Sequence, residues 1–214
     1  MNEKELILTP KELYCLGGVL NAKYIDYAYI AAMDDIGQDF ALFQRETTAE
    51  LVDKEILLED FSGDMEPNGA YLELLQPIFF GTVETSLDIC RIGDKVEIDV
   101  CKFHFFRDAI TMVKGCGETL MIKSVSQEDI RGFVKSIVTQ PYEAATGEPV
   151  NNYDMTRVRR FLSAKNIDVG KASEVRTFIE HDGVFCTEKE DGTLVCLSSD
   201  DFVNEVFSTI KGAV

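Results

Sequence analysis

The sequence predicts an α+β fold: an antiparallel sheet meander with packed helices, arranged as two structurally similar halves. Three observations predict it. Residues Lys95–Val138 alternate apolar and polar positions through short segments separated by tight turns, which is the period of β-strands. That run closes on Ser126 followed by Gln127, Glu128 and Asp129, a helix cap, with Ile130, Phe133, Val134 and Ile137 then at helical spacing. Gly183–Lys211 repeats the plan on a smaller scale, as a hairpin, a Ser-Asp-Asp cap and a helix.

In chain order, Ile7 and Leu8 precede Thr9-Pro10-Lys11-Glu12, a helix start with a capping box and a first-turn proline. Leu13, Leu16, Val19 and Leu20 form its apolar face, and Gly17-Gly18 weakens it or admits another backbone. Tyr24–Met33 suits a helix or a short packed run whose tyrosines act as amphipathic anchors. From Asp39 to Leu58 the apolar residues recur near helical spacing, with a second helix start at Thr47-Thr48-x-Glu50. Leu58–Gly69 reads as a surface loop, Ala70–Gln76 as a short helix stopped by Pro77, and Ile78-Phe79-Phe80-Gly81 as an apolar junction.

Thr82–Cys90 alternates as a strand and turns through Arg91–Asp94 into the central stretch. There Glu97, Asp99, Cys101, Phe103 and Phe105 share one face, while Val96, Ile98, Val100, Lys102, His104 and Phe106 share the other. Both faces mix apolar and polar residues, so the sheet is expected to be partly covered on both sides. Arg107-Asp108 turns into a third strand at Ala109–Val113, and Gly115-Cys116-Gly117 into a fourth at Thr119–Val125. Thr139–Tyr153 is polar and aperiodic, the expected linker or exposed loop. Met155–Asn166 and Ser173–His181 read as two short helices, and Gly183–Lys189 with Thr193–Ser198 as a hairpin turning at Glu190-Asp191-Gly192. Phe202, Val203, Val206, Phe207 and Ile210 face inward on a last helix. The expected division is residues 1–138 (helices, four-stranded meander and helix), 139–153 (linker) and 154–214 (helical pair, hairpin and C-terminal helix packed on the first half).

Composition narrows the function. Thirty-eight Asp and Glu against 21 Lys and Arg give a formal charge of −17, which disfavours nucleic acid or an anionic membrane as partner. The charge concentrates at the ends: residues 1–75 hold 16 acids and 5 bases, residues 76–138 hold 9 and 8, and residues 139–214 hold 13 and 8. A near-neutral middle suits a buried sheet. The six cysteines form no CxxC pair and fit reduced thiols. The first residues lack the pattern of a secretory signal, and no run is long enough for a membrane helix, so the expected setting is cytoplasmic.

Candidate chemistry is sparse. Cys101-x-x-His104 is half a zinc motif, but on a strand the two side chains oppose each other. His181-Asp182-Gly183 is placed at a helix-to-strand turn, where capping accounts for it. Asp64-x-Glu66-x-Asn68-Gly69 begins like a calcium loop, yet its twelfth position is Leu75. Gly115-Cys116-Gly117 leads to a strand, not to the helix that a dinucleotide fingerprint needs. Asp34, Asp35 and Asp39, and Glu188, Glu190 and Asp191, are carboxylate clusters of solvated turns. The basic cluster Arg157, Arg159 and Arg160 has the acidic first third or a protein partner to pair with. No catalytic residue, metal ligand or cofactor is assigned.

An opening Leu8-Thr9-Pro10-Lys11-Glu12-Leu13, an acidic helical segment ending in Leu51–Leu58, a proline-led junction into a meander, a Ser-capped helix and a second hairpin with helix follow one another. This layout resembles the EspG-type chaperones of type VII (ESX) secretion systems. The resemblance implies two halves of sheet and helix, and a non-enzymatic module that binds a helical secreted substrate and keeps it soluble. By position it points to Phe105, Phe106 and Arg107, whose aromatic and guanidinium groups are interface chemistry, as the partner-binding turn; core packing of the two phenylalanines is the competing role. Two other functions are carried alongside: a hydrolase or transferase using Cys101 or His181, and a small-ligand-sensing domain with an apolar cavity near Phe79-Phe80.

Overall fold

Caps and alternation set the elements in the computed structural model, which describes residues 5–33, 39–168 and 173–210. They are β1 (Glu5–Leu8), α1 (Pro10–Val19), α2 (Tyr27–Ala31), α3 (Phe40–Asp53), β2 (Leu57–Glu59), β3 (Met65–Pro67), α4 (Gly69–Phe80), β4 (Val83–Ile92), β5 (Val96–Phe106), β6 (Ala109–Cys116), β7 (Thr119–Ser124), α5 (Gln127–Ile137), β8 (Val158–Asp168), β9 (Glu174–His181), β10 (Val184–Glu188), β11 (Leu194–Cys196) and α6 (Ser199–Thr209). Nine strands pair in the order β1-β7-β6-β5-β4-β8-β9-β10-β11, and β2 with β3 forms a separate hairpin. The fold is α+β with an antiparallel meander, as the alternation predicts. The repeat is fuller than expected: β4–β7 and β8–β11 are each four consecutive strands followed by a Ser-capped helix.

By their contacts the residues fall into two units: Met1–Thr82 with His104–Ser124, and Val83–Phe103 with Val125–Val214. In the first, Thr9 and Glu12 cap α1 reciprocally, and the fully buried Glu12 carboxylate also meets Lys54 Nζ at 2.6 Å. Leu8, Leu13, Leu16, Leu51, Leu74, Leu75, Phe79 and Ile122 form its core. Gly17 is the close approach that the sequence suggests, but to side chains: a Cβ there would lie 2.5 Å from Ile25 and 3.1 Å from Phe79.

One strand is added to the sequence reading of this unit and three expectations change. Ile7 and Leu8 belong to β1, which pairs with β7 along Glu5–Lys123 to Leu8–Leu120. The second helix start dissolves, because Thr47 is buried inside a continuous α3. The loop Leu58–Gly69 holds most of the β2–β3 hairpin, although none of its residues is buried. Pro77 does not stop α4; buried Leu74, Leu75, Ile78 and Phe79 on both sides of it outweigh one lost backbone hydrogen bond.

In the second unit α5 and α6 cover one sheet face. Phe202 of α6 stacks on Phe185 with ring centroids 3.9 Å apart and meets Phe178 edge-on, while Phe133 of α5 meets Phe103 edge-on. The expected helical pair is not helical. Met155–Arg157 is a single 3-10 turn, and Val158–Asp168 and Glu174–His181 are β8 and β9. Val158, Leu162, Ala164 and Asn166 are buried at every second position between β4 and β9, a tertiary environment that overrides helical spacing. His181-Asp182-Gly183 therefore lies at a hairpin, with Asp182 at φ 55° and Gly183 at φ 80°. Within 139–153, Gly147 and Val150 donate to the carbonyls of Cys196 and Leu194, and Cys196 donates to Glu148, so this polar segment lines the free edge of β11.

Candidate functional site

The predicted turn is built by the β5–β6 hairpin. Phe105 and Phe106 are half-buried and Arg107 is exposed, with Arg107 in the left-handed region at φ 53°. The guanidinium sits over the Phe106 ring, 5.0 Å from its centroid, and Phe80 packs on that ring from α4 at 6.2 Å. The Phe105 carbonyl is wedged against Gly81, where a Cβ would lie 2.6 Å from it and 2.3 Å from the Pro77 carbonyl. Phe106 and Arg107 thus form a stacked pair at a loop tip, while Phe105 is held from behind. Phe79, at the suggested ligand cavity, is packed in the core at 2% exposure.

A second surface emerges from register. Glu84 of β4 bonds to Lys102 of β5, which puts their even-numbered residues on one face. Pairing of Cys90 with Phe161, Ser86 with Lys165, Phe161 with Ile179 and Lys165 with Val175 extends that face over β8 and β9. Leu87, Phe103, Leu162 and Phe178 point the other way and are buried. On the first face Val96 and Ile98 are each 64% exposed, Val175 53% and Val100 38%. The alternation in Val96–Val100 was visible in the sequence; Val175 was hidden by the helical reading of β9.

The same face holds a buried ion pair. Lys102 Nζ lies 2.8 Å from Glu84 Oε1, and the two side chains are 8% and 7% exposed. Burial pushes the Glu84 carboxyl up to about 7, opposed by Lys165 and reinforced by Asp88. Burial likewise pulls the Lys102 ammonium down to about 8, and Lys165 acts in the same direction.

The residues raised as catalytic candidates are dispersed. Cys101 is buried and His104 hydrogen-bonds the Tyr29 hydroxyl at 2.7 Å. His181 Nε2 accepts the Asp154 N–H at 3.3 Å, which leaves the proton on Nδ1 facing Asp182 at 3.4 Å. Asp182 also pairs with Arg157 at 2.5 Å, and Arg160 pairs with Glu180 and donates to the Ile137 carbonyl at 2.6 Å. Arg160 and Arg157 are thereby engaged by Glu180 and Asp182 of their own unit, and Arg159 donates to the Thr156 carbonyl. Among the described residues no group of three or more His, Cys, Asp and Glu is placed to hold a metal ion, and no helix is long and apolar enough to cross a membrane. Asp34 and Asp35 lie outside the described residues.

No protein-family model matches the sequence, and no curated protein matches it. Among solved structures the chain is similar to the Mycobacterium tuberculosis type VII secretion system chaperone EspG5 in complex with the PE25-PPE41 dimer. The TM-score is 0.63 at 8% identity, over 97% of this chain and 95% of that chain. The likeness is one of fold: nearly the whole chain shares the architecture of that secretion chaperone.

Proposed function

We propose that the protein is a cytoplasmic, non-enzymatic binding module, a chaperone or adaptor that holds a helical secreted protein. The observation that carries this reading is the exposed aliphatic stripe Val96, Ile98 and Val100 of β5, on the side of the sheet opposite Leu87, Phe103, Leu162 and Phe178; Val175 is exposed on the same side, beyond Ser86 and Lys165. Rigid β-branched side chains on a paired sheet lose little entropy on docking, so such a face is suited to an apolar helix surface. The fold likeness to a chaperone solved with a bound protein dimer supports a protein as the ligand. The Phe106–Arg107 stack supplies a second contact of interface chemistry.

The test is co-expression with the helical protein encoded beside it, reading the partner's soluble fraction and co-elution. Ile98→Asp with Val100→Asp is expected to lower capture at least tenfold, because two carboxylates would be desolvated at the interface. Arg107→Glu is expected to weaken it less. Equal partner solubility with and without the chain, or unimpaired capture by the folded double variant, would refute the reading.

A further inference from the structure

The first unit carries a docking surface of different chemistry. Ala41, Ala49 and Val52 of α3, with Val19 of α1 and Met65 of β3, line an open groove of about 640 Å³. Small side chains along α3 leave space for the backbone of another helix to come close. Gln44, Arg45, Thr48, Asp53 and Glu59 also line this groove.

Next to Glu59, Phe61 at the tip of the β2–β3 hairpin is fully exposed. The tip is fixed rather than loose: the Asp60 carboxylate accepts the N–H groups of Ser62 and Asp64 at 2.8 and 2.9 Å. Leu58, on the same hairpin, is 49% exposed. A held-out phenyl ring two residues along the hairpin from the groove-lining Glu59 is anchor chemistry.

Charge selects the partner. Residues 39–67 contain nine Asp and Glu against two bases: Arg45, which lines the groove and is outnumbered there by Asp53 and Glu59, and Lys54, whose ammonium is taken by Glu12 at 2.6 Å. Two copies of this chain, each at −17, would repel across such a surface, whereas a cationic segment would be drawn to it.

We propose that this groove docks an amphipathic helix of another protein, its apolar stripe against Ala41, Ala49, Val52 and Phe61 and its lysines or arginines against Asp53 and Glu59. The proposal stands independently of the sheet face of the second unit.

The probe is a synthetic helix of about 18 residues, Leu and Ala on one face and Lys on the other, long enough for five turns. An isomer with the same composition in scrambled order and a Glu-for-Lys counterpart are the controls. Fluorescence anisotropy with the full chain is expected to give a dissociation constant of roughly 10–100 µM for the amphipathic peptide. The scrambled and acidic peptides are expected to bind at least tenfold more weakly. Ala49→Arg and Phe61→Ser, both at exposed positions, are each expected to weaken binding at least tenfold, and Asp53→Lys with Glu59→Lys likewise. Ala41→Arg serves as the second groove-blocking variant should Ala49→Arg fail to fold. Ile98→Asp should leave the affinity unchanged, which separates this surface from the sheet face. Equal binding of the scrambled peptide would make the attraction charge alone and overturn the proposal. Equal binding of the acidic peptide, no binding up to about millimolar, or no effect of Ala49→Arg would overturn it equally. So would self-association that Ala49→Arg abolishes, since the occupant would then be a second copy.

Discussion

Replacing Lys102 with Met should unfold the protein more readily at pH 8 than at pH 5. Lys102 and Glu84 are 8% and 7% exposed and 2.8 Å apart, so the ammonium is the contact that makes a buried carboxylate tolerable. Removing one member of such a pair costs about 3–5 kcal/mol, a large share of the 5–15 kcal/mol by which domains are usually stable. The sign with pH follows from Glu84. Burial raises its pKa from 4.5 to about 7, so the folded state binds more protons than the unfolded chain between those values. Stability from the protonated form is complete below about 4.5 and lost as pH rises through about 7. In the Lys102→Met variant Glu84 is protonated at pH 5 and the penalty shrinks; at pH 8 the folded chain must either hold a buried carboxylate without Lys102 or keep a proton against the solution, and either costs stability. The double variant Lys102→Met with Glu84→Met carries no buried charge here and should return to within about 1 kcal/mol of the parent at pH 8. The assay is urea unfolding of all three proteins at both pH values, with m-values compared to verify two-state behaviour. A single variant as stable as the parent at pH 8, or a double variant no better than the single, would refute the reasoning.

Gly81→Ala should lower stability by about 3 kcal/mol or more, because the new methyl would lie 2.3 and 2.6 Å from two backbone carbonyls that cannot easily move; thermal unfolding reads this directly. Phe202→Ala removes a fully buried ring stacked on Phe185 and should cost about 3–5 kcal/mol by chemical denaturation. Gly183→Ala, at φ 80° in the β9–β10 hairpin, should cost about 1–2 kcal/mol, whereas Gly132→Ala, with open space at its Cβ inside α5, should gain up to about 1 kcal/mol.

The parts of the fold legible in the sequence were those decided locally. The caps of α1 and α5 were read correctly because Ser or Thr meets its own third-residue amide, a contact that needs no distant partner; for α6 the cap is Ser198, which accepts the Asp201 amide, one residue before the expected Ser199-Asp200-Asp201. The β5–β6 and β10–β11 turns were equally local. What failed depended on distant packing. In Val158–Asp168, Val158, Phe161 and Leu162 fit a helical stripe as well as a strand, and only placement between β4 and β9 decides the matter. For Glu174–His181 a signal was present and outweighed: Val175, Thr177 and Ile179 are β-branched at every second position, and Asp182-Gly183 is a hairpin dipeptide. β1 is too short to signal itself and exists because β7 offers an edge. On the candidate surfaces, the sequence located the Phe105–Arg107 turn and the exposed stripe of β5. The α3 groove needed coordinates, since Val19 and Met65 are brought to Val52 from far along the chain.

The strand order has a bearing on how the chain finds its native state. Six of the eight neighbouring pairs in the large sheet join strands consecutive in sequence, and each closes over a short connection. The exceptions are β1 with β7 and β4 with β8. In the first, Leu8 meets Leu120, so about half of the chain must be closed into a loop; in the second, Arg91 meets Arg160, closing about a third of it. Hairpins can zip within microseconds, but these two seams carry the heaviest loop-closure entropy and raise the contact order of an otherwise local sheet, and the β4–β8 seam, being central and longer, holds more of the sheet together. Substitutions along β4 and β8 are therefore expected to set the folding rate, while equally buried positions in β10 and β11 chiefly alter unfolding.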